Sequence, residues 1–95
     1  MEHMEHIMGL YEEALEELMG AQKYVKNIHK AANDDEKNMY KVLARQELDH
    51  AQMIVKDGDK LAERSDVHDM VKNVWQHLRA HLLDWHSDLY KKISG

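Results

Sequence analysis

The segment Arg45-Gln46-Glu47-Leu48-Asp49-His50-Ala51 holds a carboxylate and an imidazole three residues apart. On an α-helix three residues turn through about 300°, so Glu47 and His50 project from one face. Tyr40, Leu43, Ile54 and Leu61 recur around the pair in steps of three, four or seven, and that periodicity predicts an amphipathic helix with the pair on its apolar side. A buried carboxylate without a partner costs several kcal/mol, and a bound metal ion is one way to offset that cost. In a chain with eight histidines the spacing alone carries little weight. Its weight comes from a second carboxylate, Glu17, on another segment.

The apolar stripe of that earlier segment is Ile7, Leu10, Ala14, Ala21, Tyr24 and Ile28. A step of three from Ala14 lands on Glu17 and a further four on Ala21, so Glu17 is expected at a core position, with Glu12, Glu13 and Glu16 off that line. Glu17, Glu47 and His50 on inward faces amount to half of a di-metal site. Four-helix carboxylate proteins use one Glu from each of two helices and Glu-x-x-His from each of the other two, a set that two copies of this chain would supply. Oxygen-rich ligation with one His per metal suits iron or manganese, and zinc fits the same ligands as a substitute.

The elements that must position these residues are helices. The chain has 95 residues, no proline, four glycines, 43% hydrophobic residues and 33% charged ones, which predicts a single all-α domain spanning 1–95. A first helix is expected over about 6–31. A turn follows at 32–36, where Asn33 reads as an N-cap with Glu36 three residues on. The second helix then carries the Glu47/His50 motif to about Arg64. Gly58 is a possible stop, but the residues after it still read as helix. Ser65-Asp66 is expected to cap a third helix through Val67, Val71, Val74, Leu78, Leu82, Trp85, Leu89 and Ile93. Gly20 is an interior glycine, costing about 1 kcal/mol relative to alanine, whose use would be a close helix–helix approach. Three such helices bury too little of one another for a closed bundle, so self-association is expected.

Composition excludes several function classes. The net charge is −5 and no basic tract stands out, which disfavours nucleic acid and anionic membranes as partners. No run approaches eighteen apolar residues, so no transmembrane helix is expected. The first six residues are too polar for a signal peptide. With no cysteine, thiol chemistry and zinc–thiolate or iron–sulfur sites are out of reach. A cytoplasmic location fits these features.

Glu16-Glu17-Leu18 followed by Tyr24, then Glu47-x-x-His50-Ala51 thirty residues after Glu17, resembles the ferritin-like superfamily and most nearly the short encapsulated ferritins. The resemblance covers residues 10 to 65. It implies an antiparallel helical hairpin, here extended by a C-terminal helix, with a four-helix bundle completed by dimerisation. It also implies a ferroxidase that oxidises Fe²⁺ with O₂ or peroxide at a di-iron site between two subunits, in iron storage or detoxification. Glu17, Glu47 and His50 would be the iron ligands and Tyr24 a neighbour that hydrogen-bonds a ligand or takes part in electron transfer, unless it is a core tyrosine only. Such proteins assemble from dimers into rings and work inside an enclosing, encapsulin-type protein compartment. Where that family places a further acidic residue and a tryptophan along a metal access path, this chain has Met19 and Lys23.

Plainer readings stand beside this one. The chain could be a bundle that metal locks without catalysis, or a helical interaction module in which Glu47 and His50 make ion pairs. His77 and His81, four apart on the third helix, have a metal-binding spacing, but solvated or packing roles are expected for them. His3 and His6 are expected in a disordered start, and the scattered methionines as core filling.

Overall fold

A computed structural model describes residues 1–95, which form three helices: α1 (Met4–Ile28), α2 (Asp34–Ala62) and α3 (Asp69–Ser94). α1 and α2 form a long antiparallel hairpin, and α3 packs along one side of it to give a rod of 52 × 17 × 15 Å. The all-α expectation holds. No helix is long and apolar enough to cross a membrane.

Local chemistry sets the helix ends. Asn33, in extended backbone, accepts a hydrogen bond from the Glu36 backbone N–H at 2.9 Å. Asp34, Asp35 and Glu36 lie against the positive end of the α2 dipole. The third helix starts later than expected. Its cap is His68, whose Nδ1 accepts from the Met70 N–H at 3.0 Å, not Ser65-Asp66. Asp66 is instead engaged by Arg64 in a two-pronged ion pair of 2.9 and 2.6 Å, and Val67 is buried as a plug beneath the loop. His3 and His6 are likewise ordered. α1 begins at Met4, and the largely buried His3 ring reaches to 4.0 Å from Asp66.

Eighteen buried apolar residues make one core. On α1 they are Ile7, Ala14, Leu18, Ala21, Val25 and Ile28. On α2 the stripe runs Ala44, Leu48, Ala51, Val55 and Leu61. Alanines dominate the middle of the hairpin, so the two backbones can lie close. α3 adds Val71, Trp75, Leu82, Leu89 and Ile93. This third layer closes one side of the hairpin.

Gly58 does not end α2. It is buried inside that helix because the Trp75 indole lies against its bare backbone, where a Cβ would overlap the ring. The indole N–H donates to Asp59 Oδ1 at 2.8 Å, and the same oxygen accepts from Arg79 Nε at 2.8 Å.

Candidate metal centre

The core stripes run beside the candidate ligands rather than through them. No charged side chain in the chain is buried. Leu18 and Leu48, each next in sequence to a ligand, take the inward positions, while Glu17 and Glu47 lie half-buried on the rim of the hairpin. The expectation of carboxylates within the core of one chain is therefore corrected. The alanine-lined contact between the helices turns the inward direction by one residue, from Glu17 toward Leu18 and from Glu47 toward Leu48.

That rim belongs to the face turned away from α3. Tyr11 on α1 meets His81 of α3, and Glu17, six residues on, lies about 120° around the helix from it. Asp59 on α2 meets Trp75 and Arg79, and Glu47, twelve residues earlier, is again about 120° away.

On this face the three residues come together. Glu17, Glu47 and His50 each offer one ligand atom, and these atoms all lie within 4.8 Å of one another. His50 Nδ1 is 3.5 Å from Glu17 Oε2. The Glu17 side chain is 29% exposed and that of His50 56%, so one side of the cluster is open. No cavity encloses it. The largest cavity, about 430 Å³ beside Ile28, Lys37, Lys41 and Ile93, is at the end of the rod.

Gly20 makes the cluster possible. A Cβ there would stand 2.6 Å from Glu47 Oε2 and 3.3 Å from its Cδ, so the missing side chain is the space in which the Glu47 carboxylate lies across α1 toward Glu17. Burial at this crossing raises the Glu47 pKa above its ordinary value of 4.5. A hydrogen bond with Glu17 and repulsion from its charge push the same way, and His50 opposes them. Two carboxyl groups pressed together hold a proton between them unless a cation replaces it.

The other sequence-derived candidates separate from this group. Tyr24 is on the same face, one heptad beyond Glu17, but its ring meets Tyr40 of α2 with centroids 6.3 Å apart and planes at 29°. Tyr40 is as many residues before Glu47 as Tyr24 is after Glu17, the relation an antiparallel register demands. His77 and His81 are each engaged elsewhere through Nδ1. His77 Nδ1 donates to the Asn73 carbonyl at 2.9 Å, and His81 Nδ1 shares a hydrogen bond of 2.9 Å with the Tyr11 hydroxyl. Sequence reasoning missed the partnership of Tyr24 with Tyr40 and the carboxylate cradle at Gly20. Both follow once Glu17 is set opposite Glu47 and the helices are stepped in opposite directions.

In comparisons with family models, curated proteins and solved structures, nothing matches this chain.

Proposed function

We propose that the protein is a ferroxidase whose iron site forms between two copies of the chain. The observation that carries this reading is the convergence of Glu17, Glu47 and His50 to within 4.8 Å on an open face. The donor set fits iron: two carboxylates and one imidazole per chain, with no thiolate. Two copies related by a twofold axis would bring four carboxylates and two imidazoles, enough negative charge to balance two Fe²⁺.

Each residue has a role in this reading. Glu17 and Glu47 supply charge, and the proton that burial favours on Glu47 leaves as the cation enters. His50, the most exposed of the three, gives one ring nitrogen. Gly20 keeps the Glu47 carboxylate on the α1 side of the face. Fe²⁺ is the substrate, giving one electron per ion to O₂ or peroxide, and two ions held together match a two-electron acceptor. By the same resemblance the dimers build rings within an enclosing cytoplasmic compartment.

The test is anaerobic titration of chelator-stripped protein with Fe²⁺, followed by admission of oxygen. Saturation near one iron per chain with growth of a ferric absorbance band is expected, and Glu47→Ala should abolish the band while leaving the helices formed. Binding without oxidation would assign the metal a structural role instead. Failure to bind would leave a helical interaction module.

A further inference from the structure

We propose that Tyr24 and Tyr40 form an oxidation-coupling pair, joined as a dityrosine between α1 and α2 when oxidant is produced at the neighbouring carboxylate cluster. This rests on the ferroxidase reading for the source of oxidant. The pair itself rests on geometry.

The two rings are offset-stacked, with centroids 6.3 Å apart and planes at 29°. They come from different helices, at positions that the hairpin fixes relative to one another. Both are partly buried against the core. Each is seven residues from a cluster carboxylate, Tyr24 from Glu17 and Tyr40 from Glu47, a displacement of about 10 Å along the helix. The chain has four tyrosines and two tryptophans. Tyr11 is bonded to His81 of α3, while Trp75, Trp85 and Tyr90 belong to α3 itself. Tyr24 and Tyr40 are thus the oxidisable rings on the hairpin face that carries Glu17, Glu47 and His50.

Two rings suit the chemistry better than one. Reduction of peroxide to water takes two electrons, and each phenol gives one electron and one proton. Two phenoxyl radicals held side by side then couple. One carbon–carbon bond forms between the rings, two ring C–H bonds are lost, the peroxide O–O bond breaks, and two water molecules result. The net change is loss of two hydrogen atoms from the protein. The product is a covalent bridge between α1 and α2 within one chain, formed by rotation of rings whose centroids start 6.3 Å apart.

The experiment uses the full chain in two arms. In the first, protein loaded anaerobically with Fe²⁺ receives hydrogen peroxide. In the second, metal-free protein is illuminated with a ruthenium trisbipyridyl complex and persulfate, which oxidises tyrosine without iron. The expected result in both arms is blue dityrosine fluorescence on a band of monomer size, with peptides containing Tyr24 and Tyr40 linked. Tyr24→Phe and Tyr40→Phe should each lose the signal, and Tyr11→Phe and Tyr90→Phe should keep it. Iron oxidation with no such link in either arm would overturn the proposal, as would a link that survives Tyr40→Phe. A link in the photochemical arm alone, with no iron oxidised in the other, would uphold the pair and reject the ferroxidase reading.

Discussion

Gly20 of α1 lies directly under the Glu47 carboxylate of α2, where a Cβ would come within 2.6 Å of Oε2. The contact is with the far end of a flexible side chain, so Gly20→Ala can be accommodated if Glu47 swings away. Alanine favours an interior helix position by about 1 kcal/mol, while moving Glu47 to a poorer rotamer costs roughly 0.5–1.5 kcal/mol. Metal-free stability should therefore change by about 1 kcal/mol or less. Divalent-metal affinity should fall, by about tenfold for each 1.4 kcal/mol of ligand displacement. Thermal melts with and without Mn²⁺ separate the two effects: the metal-induced rise in Tm shrinks, and the metal-free Tm stays close to that of the wild type.

The raised pKa of Glu47 makes folding stability depend on pH with a definite sign. Its proton is held more tightly folded than unfolded, so the stabilisation is fully present below the ordinary value of 4.5 and is lost as pH rises through the raised value. Metal-free protein should thus weaken in urea melts across that window. Glu47→Gln, which cannot ionise, should flatten this part of the profile. Metal binding should run the opposite way, tightening with rising pH as the competing proton is lost.

Gly58 presents the contrary case, because what covers it is a rigid ring in the core. A Cβ at this position would overlap the Trp75 indole, and the indole is also fixed by its hydrogen bond to Asp59. Overpacking of this kind costs about 1–3 kcal/mol, outweighing the gain of about 1 kcal/mol from helix propensity. Gly58→Ala should lower Tm and loosen α3 from the hairpin. The metal affinity of the molecules that remain folded should be unchanged, as Gly58 and the ring that covers it lie about 16 Å along α2 from Glu47.

The two glycines show how far the sequence could be read. Helix content, the three-element order and the Asn33 cap were legible because each depends on local chemistry. The three ligand candidates were legible as a set, since a spacing of thirty residues and an antiparallel turn bring Glu17 opposite Glu47. Their depth was not. Ala44 and Ala51 are too small to announce the α2 stripe, and the larger Tyr24, Tyr40 and Ile54 drew the apolar face toward the rim. The sequence carried α2 through Gly58 but not the reason for a glycine there, because the residue that needs its bareness, Trp75, is on another helix. The start of α3 was misplaced for a similar reason, Asp66 being occupied by Arg64 and leaving the cap to His68.

The open hairpin face sets a last prediction, that divalent metal and self-association are linked. Leu10 and Ile54 flank the cluster on one side and Tyr24 and Tyr40 on the other, all four partly buried by the core beneath. Pairing this face with a second copy would bury those apolar groups but would also bring four glutamates together. Like charges at such spacing oppose association unless a cation lies between them. Mn²⁺, which mimics Fe²⁺ without oxidising readily, should therefore shift the protein from monomer toward dimer in sedimentation velocity, and chelation should reverse the shift. Ile54→Lys adds a charge to the face, and its side chain can reach solvent. It should block the metal-induced dimer while leaving the circular dichroism of the helices intact. A dimer that forms equally well in Ile54→Lys would place the interface elsewhere, and with it the second half of the metal site.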